Sequence, residues 1–419
     1  MIHFFSLILD FSIVFMKILH TADWHLGKRL DRFSRLEEQV EVLGEIVKIA
    51  DENAVDLVLI AGDLFDSFNP SIEATELFYK TLKQLTNNGK RPVIAIAGNH
   101  DAPDRIDAPY PLAYECGIIL IGHPNALIPP LKLENFHISK TDEGFIEIQL
   151  NPYDYPVRIL HTAYANEVRL KTYFGEEKSV KINELLKEKW TNIANTYCDE
   201  KGVNLLLTHL YMNRRNSEIL EEPDGEKPLK IGNAEMIYTD CIPPQIQYTA
   251  LGHLHGFHNI GTAEQPIVYS SSILAYSFSE AGQKKCVTIV DAKPHQPVDF
   301  QKIELTKGKP LARKSFNDID QAIHWLSMNK NKLVELTIES ETFLSSEDRK
   351  RIFETHNGIV HLIPKIKNRP AETTGYKEIE LSKAPEELFV DFFKMKKGNQ
   401  APNEEIMALL KEIIHADES

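Results

Sequence analysis

The chain has 419 residues, 42% of them apolar and 26% charged, with a formal charge of -14. That length can bury a large core and exceeds one average domain, and the composition is that of an ordinary soluble globular protein. The acidic balance argues against a generic binder that coats nucleic acid with a basic surface, although a local basic stripe beside metal-neutralised carboxylates would still hold phosphates.

The first fifteen residues, MIHFFSLILDFSIVF, are apolar but interrupted by Asp10 and carry no Lys or Arg. A signal peptide needs a positive start and a small-residue cleavage site, and a membrane span needs about 20 apolar residues. Residues 1–15 therefore read as a start-site extension, with Met16 as the natural initiator and a surface-packed extension as the alternative. No membrane role follows. Four scattered cysteines, Cys116, Cys198, Cys241 and Cys286, show no C-x-x-C spacing. They indicate neither a disulfide framework nor a zinc knuckle and fit a reducing cytoplasm.

From Met16 the pattern is regular. Lys17–His20 reads as a short strand, and Phe33–Ala50 has apolar residues at helical spacing (Leu36, Val40, Leu43, Val47). Val55–Ala61 is a strand apolar throughout, as in a sheet covered on both faces. A helix follows from Pro70 to about Leu85, then a strand at Pro92–Ala97. Strand, polar loop and helix recur in a βαβαβ order.

The middle is less even. Strands are expected at Cys116–Ile121, Phe145–Leu150, Val157–His161, Leu205–Thr208, Ile246–Leu251 and Ile267–Ser270, with a helix at Val180–Cys198 and a charged loop at Met212–Lys230. Composition changes near residue 280. Alternating strands at Cys286–Val290, Asp299–Leu305, Leu333–Ile338 and Gly358–Pro364 surround a helix at Phe316–Met328, which suggests a small α+β domain over residues 283–372. Pro385–Met395 and Glu404–Ile414 read as terminal helices joined by a turn. The expected division is an extension at 1–15, a main domain at 16–282, the small domain at 283–372, and a linker with helices at 373–419.

Five polar clusters punctuate this pattern, most of them directly behind a strand: Asp23 and His25 in D-x-H, Gly62–Asp66 in G-D-x-x-D, Gly98–Asp101 in G-N-H-D, Thr208–His209, and Gly252–His255 in G-H-x-H. Taken singly they are weak. G-D-x-x-D can be a turn with an Asx hydrogen bond, G-N-H-D a helix cap, and a lone His a satisfied polar residue. Five in this order are a different matter, because strand ends of an open α/β sheet converge on one crevice. Carboxylate, amide and imidazole donors together suit divalent manganese, iron or zinc, and one carboxylate can bridge two ions. Two such ions activate water and neutralise a phosphate, so no serine nucleophile is required. The clusters imply a metal-dependent phosphoesterase.

In MKILHTADWHLG, IAGDLFDSFNPS, IAGNHD and GHLHG the chain resembles the calcineurin-like metallophosphoesterases and, within them, the bacterial SbcD nucleases. The resemblance runs from Met16 to the last helix. It implies an α/β sandwich of two mixed sheets flanked by helices, with a small α+β DNA-binding cap and C-terminal helices. Manganese would be the metal: one ion held by Asp23, His25, Asp63 and His255, the other by Asp63, Asn99, His209 and His253. His100 would contact the scissile phosphate and help protonate the leaving 3′ oxygen. Asp101 either orients that imidazole or caps the following turn. Asp66 stands where archaeal and eukaryotic relatives tend to carry histidine. The family acts as a 3′-to-5′ exonuclease on duplex ends and as an endonuclease on single strands and hairpins.

The resemblance also implies partners. A coiled-coil ATPase of the SbcC type would receive the helix bearing Leu388, Phe389, Phe392 and Phe393, an ordinary helix-in-groove contact; core packing within this chain is the alternative. A homodimer, completing a heterotetramer with the ATPase, would form through the helices at Pro70–Leu85 and Pro103–Tyr114, with Ile72, Leu77 and Phe78 as candidates. Lys28, Arg29, Arg32 and Arg35 follow the first metal loop, and Arg214 and Arg215 follow His209; these can reach DNA phosphates or be solvated surface. Tyr164, Asn166 and Glu167 lie in a segment that resembles one near the family's active site. A protein phosphatase or cyclic-nucleotide phosphodiesterase would need the same metal ligands, whereas a non-catalytic scaffold should have lost some of them.

Overall fold

A computed structural model describes residues 15–221, 236–341, 344–366 and 385–396, with positions 401, 402, 406, 407 and 410. The extension expected at 1–15, apart from Phe15, lies outside the described residues, as do residues 222–230 of the charged loop, residues 367–384 of the linker and most of the helix expected at Glu404–Ile414. The chain divides into two compact units, Met1–Ile338 with Leu344–Pro364, and Glu339–Phe343 with Lys365–Ser419.

The first unit is built on two mixed sheets. In the first sheet, β1 (Met16–Thr21), β2 (Leu57–Ala61), β3 (Val93–Ile96) and β4 (Ile118–Ile121) run parallel, with Ile18 opposite Leu57, Val58 opposite Val93 and Val93 opposite Ile118. The crossovers are α1 (Leu36–Glu52), α2 (Ile72–Leu85), and two short helices, α3 (Pro103–Asp107) and α4 (Tyr110–Glu115). β2, β3 and β4 are apolar without alternation because helices cover one face and the second sheet the other. The α2 helix starts two residues later than Pro70, since the Ser71 side chain caps it by accepting from the Ala74 amide.

The second sheet has seven strands: β5 (Phe136–Asp142), β6 (Phe145–Leu150), β7 (Val157–Thr162), β8 (Val203–His209), β9 (Tyr248–Gly252), β10 (Phe257–Asn259) and β11 (Ile267–Ser270). Its centre is parallel, with Val203 opposite Val157 and Leu205 opposite Tyr248. One core fills the space between the sheets; Ile18, Val58, Ile94, Ile159, Leu205 and Ala250 belong to it. A second core joins the outer face of the seven-stranded sheet to α5 (Lys178–Tyr197) through Leu160, Leu186, Trp190 and Leu206. At about 1.5–3 kcal/mol for each large buried side chain, these cores supply the main force holding the layers together.

The domain boundary expected at 283 falls inside the sandwich. Cys286–Ala292 (β12) pairs antiparallel with β1, Met16 opposite Ala292, and Asp299–Glu304 (β13) pairs with β12. The composition shift marks a change from parallel to antiparallel strands at the sheet edge. The small α+β element starts at Leu311: strands Leu311–Phe316, Leu333–Ser340 and Ile359–Ile366 with helices Ile319–Met328 and Ser346–Thr355. Its first strand escapes sequence reading because Arg313 and Lys314 interrupt the apolar pattern. Leu311, Leu333 and Val360 pack with Leu30 and Phe278, tying this element to the loop after β1 and to the turn after β11.

In the second unit, Pro385–Lys396 is helical as expected. The rings of Phe389 and Phe393, one turn apart, lie 5.9 Å from each other. Leu388, Phe389 and Phe393 are half-buried and Phe392 is exposed.

Candidate metal centre

The polar loops leave the carboxyl ends of β1, β2, β3, β8 and β9 and meet in one place. Two of them zip together along the backbone: the amides of Asp23, His25 and Leu26 donate to the carbonyls of Gly62, Asp63 and Leu64 at 2.9–3.0 Å. The two sheets approach so closely here that side chains are excluded. A Cβ on Gly62 would lie 2.3 Å from His209 Nδ1, and one on Gly252 would lie 1.8 Å from the Ala61 carbonyl oxygen. Asp23, His25, Asp63 and His253 all adopt positive φ, 53°, 44°, 48° and 106°. Such backbone costs about 1–3 kcal/mol per residue and persists only where the surroundings enforce it.

The donor atoms face one another. Three overlapping groups, Asp23 with His25 and His255, His25 with Asp63 and His100, and Asp23 with Asp63 and His209, each bring their ligand atoms within 4.8 Å. His25 Nε2 lies 3.0 Å from His255 Nε2 and 3.5 Å from Asp63 Oδ2. On the other side, His209 Nε2 lies 3.3 Å from the same Asp63 oxygen and 2.9 Å from Asn99 Oδ1, which His253 Nδ1 approaches to 3.1 Å. Asp63 Oδ2 thus stands between two donor sets, as a bridging carboxylate must.

The chemistry of these atoms suits cations. His209 Nδ1 lies 2.8 Å from the Ala61 carbonyl. A carbonyl only accepts, so Nδ1 carries the hydrogen and the Nε2 lone pair is turned on Asn99 Oδ1 and Asp63 Oδ2. Acceptors aimed at acceptors repel unless a proton or a cation sits among them. Asp23 Oδ2 is buried with no hydrogen-bond partner, which is costly for a carboxylate unless it holds an ion. The titration behaviour agrees. Burial pushes Asp23 up to about 6 against the pull of His209 and His255. Burial alone would lower His209, but Asp63 and Asp23 beside it raise it to about 9. For Asp63, burial pushes upward, and His209, His100 and His25 outweigh it, holding the carboxyl well below the usual range. The residues present therefore fit one or two divalent ions.

His100 lies at the rim of this cluster, its ring 4.8 Å from that of His25 and its amide donating to Asp63 Oδ1 at 2.9 Å. The Asp66 carbonyl holds its Nδ1 at 3.1 Å. Asp101, expected either to orient this ring or to cap the following turn, accepts backbone amides on both its oxygens, from Leu64, Phe65 and Gly98. Asp101 locks two metal loops together; burial, then Asp63, raises it to about 6, while those amides oppose the rise. The Asp66 side chain pairs with Lys28 at 2.8 Å.

The basic residues divide sharply. Arg35 is 0% exposed, ion-paired to Glu38 at 2.8 Å and hydrogen-bonded to the Ala275 carbonyl. It is a structural tie and cannot meet a phosphate. Arg29 and Arg32 are exposed, and Arg32 also reaches the Ile359 carbonyl. Arg214 and Arg215 are exposed as well, the latter paired with Asp240 and stacked 4.0 Å over Tyr238. Phe78, expected on a dimer face, is wholly buried against Trp24 and Phe65, whereas Ile72 is 82% exposed. Leu77 is partly buried against the core.

Several supporting residues escape sequence reading. Gln39 on α1 donates to the carbonyls of His25 and Trp24 and accepts from the Gly27 amide, holding the first loop from behind. Arg169 donates to the carbonyls of Gly98 and Asp101 at 2.8 and 2.7 Å and stacks over Tyr164. The expected segment supports it: Asn166 caps the short helix that carries Arg169, and the Glu167 side chain accepts from the Phe174 amide. Glu280 and Lys285 stand behind His255. Ser277–Glu280 reads S-x-x-E, a capping-box signature that could have drawn attention to Glu280.

A sequence model of the calcineurin-like phosphoesterases matches residues 16–257. The chain belongs to that family. It is 36% identical over 405 residues to the SbcD component of the SbcCD nuclease of Bacillus subtilis (strain 168), covering 95% of this chain and 97% of that one. Among solved structures it is similar to a dimetal phosphatase from Danio rerio (10% identity, 70% of this chain, 100% of that one, TM-score 0.35). It is also similar to phosphopantetheinyl hydrolase from Mycobacterium tuberculosis (14% identity, 69% and 96%, TM-score 0.34). The family and the donor clusters make the chain a metal-dependent hydrolase of the calcineurin-like type, strongly resembling the SbcD nucleases. No helix among the described residues is long and apolar enough to cross a membrane.

Proposed function

We propose that this protein is the nuclease component of an SbcCD-like complex. It degrades duplex DNA ends 3′ to 5′ and cuts single strands and hairpins, with manganese as metal and a coiled-coil ATPase as partner. The observation that carries this reading is the 36% identity to the nuclease component of such a complex across 95% of this chain, in a protein whose buried Asp and His side chains gather in groups able to hold a metal.

Asp23, His25, Asp63 and His255 would hold one ion, and Asp63, Asn99, His209 and His253 the other. Bound there, the ions supply an activated water and neutralise the phosphate oxygens. The protein's own work is the rest. Positive-φ turns and the interlocked loops fix the ligands before substrate arrives, so that little reorganisation accompanies reaction. His100, held through Nδ1 by the Asp66 carbonyl, gives a proton to the departing 3′ oxygen as general acid. Cleavage then leaves a 5′-phosphate and a 3′-hydroxyl.

Lys28, Arg29, Arg32, Arg214 and Arg215 would contact DNA phosphates, and the small α+β element would serve as a cap over the DNA. The helix with Leu388, Phe389, Phe392 and Phe393 would dock on the ATPase. Ile72 and Leu112, both about four-fifths exposed, support a dimer face on α2 and α4. The deciding assay offers the protein, with manganese, a blunt duplex, a phosphoprotein and a cyclic nucleotide. Duplex degradation is expected; hydrolysis of either other substrate with the duplex left intact overturns the proposal.

A further inference from the structure

We propose that Glu280 is a positioning residue of the metal centre, holding His255 so that its Nε2 faces the ion; this rests on the two-metal reading above. His255 Nδ1 lies 3.3 Å from Glu280 Oε1, while Nε2 points at the cluster, 3.0 Å from His25 Nε2. A neutral imidazole offers one nitrogen to a metal only when the other carries the hydrogen, and a carboxylate on that second nitrogen sets the tautomer and raises ligand basicity. Glu280 is 1% exposed, so the pair is shielded from water. Its other oxygen takes Lys285 Nζ at 2.7 Å, and the same ammonium donates to the His255 carbonyl at 2.8 Å. Ring and backbone of His255 are therefore both tied to one buried ion pair. His209, across the cluster, has a neutral carbonyl as the hydrogen-bond partner of its Nδ1, that of Ala61 at 2.8 Å, with Asp23 Oδ1 farther off at 3.8 Å. The two metal positions differ in what backs their histidines, and removal of Glu280 should affect one of them.

A purely structural role for Glu280 would be its own turn. Oε1 also accepts from the Tyr276 and Ser277 amides and the Ser277 hydroxyl, completing a capping box. The test separates these roles by titrating the full-length, metal-stripped protein with Mn2+ alone, read by calorimetry and by the electron paramagnetic resonance of bound manganese. The unaltered protein binds two ions. Glu280→Ala loses about 10–100-fold in affinity at one position and keeps the other. Glu280→Gln, which preserves an acceptor for both ring and turn, loses less. Ser277→Ala breaks the capping box but leaves the carboxylate on His255, and binds both ions normally.

The proposal is overturned if Glu280→Ala binds both ions as tightly as the unaltered protein, or if Ser277→Ala weakens the same position as much. It is overturned equally if the unaltered protein binds fewer than two. Should Glu280→Ala fail to fold, Glu280→Gln against Ser277→Ala decides, equal affinities counting against the proposal. A protein that binds two ions, shows this pattern and degrades no DNA would sink the nuclease reading and leave the role of Glu280 standing.

Discussion

The two sheets supply the candidate metal centre with different atoms. The first sends oxygen donors, Asp23, Asp63 and Asn99, from the ends of β1, β2 and β3. The second sends imidazoles, His209, His253 and His255, from the ends of β8 and β9. Only His25 crosses this division. Neither sheet holds a complete site, so the centre exists only where the layers close, at the contact that Gly62 and Gly252 permit. Closure of the sandwich and metal affinity are thereby linked: an ion that binds only the closed form stabilises it, by about 2.7 kcal/mol at a hundredfold excess over Kd.

Asp63 is the residue that should break the comparison outright, since its Oδ2 faces donors from both sheets. Asp63→Asn is expected to reduce DNA cleavage to background and to abolish the rise in Tm that manganese produces in the unaltered protein. A variant that keeps both would show that Asp63 bridges nothing. His100 is the next in effect. It belongs to the first sheet's loops but is not assigned as a donor, so His100→Ala should lower kcat by about 10²–10⁴-fold while manganese stoichiometry stays at two. Nuclease activity surviving at the original rate would remove His100 from the mechanism.

The position of the candidate donors behind strands was largely legible in the sequence, because apolar run and donor coincide; which sheet each strand joins was not. Asp63 follows LVLIAG, Asn99 follows VIAIAG, and His253 follows YTALG, so apolar run and ligand are read together. What holds the donors was not legible. Arg169, Gln39, Glu280 and Lys285 act from 12 to 71 positions away, through backbone groups or a single side chain, and no periodicity encodes such contacts. Arg35 shows the reverse error. Its neighbourhood, KRLDRFSR, looks like a basic stripe, yet the pairing of Arg35 with Glu38, one helical turn ahead, buries it. Charge near a site in sequence therefore says little about charge facing the site.

Arg169 sharpens the comparison, because it comes from the segment after β7 of the second sheet and grips the loop after β3 of the first. Arg169→Met removes the side-chain donor from the Asp101 carbonyl and leaves the Gly98 carbonyl only the long 3.4 Å bond from the Asp101 amide. The expected cost is about 1–3 kcal/mol of unfolding free energy, together with about a 10–100-fold fall in kcat from misplacement of Asn99 and His100. Urea denaturation and steady-state cleavage of a duplex end measure the two. A loss of stability with kcat unchanged would reduce Arg169 to a purely architectural tie.

The smallest effect concerns the same interface away from the metals. His161 on β7 is fully buried and neither ring nitrogen has a partner. Burial, with help from Lys189, lowers it to about 3. His20 on β1 is lowered to about 3 as well, but its nitrogens meet the Tyr248 hydroxyl and the Leu251 carbonyl. A histidine near 6.5 in the unfolded chain and near 3 in the folded one leaves the folded state short of a proton between those values. Stability is complete above pH 6.5 and falls as the pH drops towards 3. His161→Leu removes that contribution and two orphaned buried polar atoms, worth about 1–3 kcal/mol, against some cost of repacking. Denaturation at pH 7 and at pH 5 should show the variant gaining on the unaltered protein as the pH falls. Parallel loss of stability in both would mean that His161 is protonated, or finds water, inside the closed sandwich.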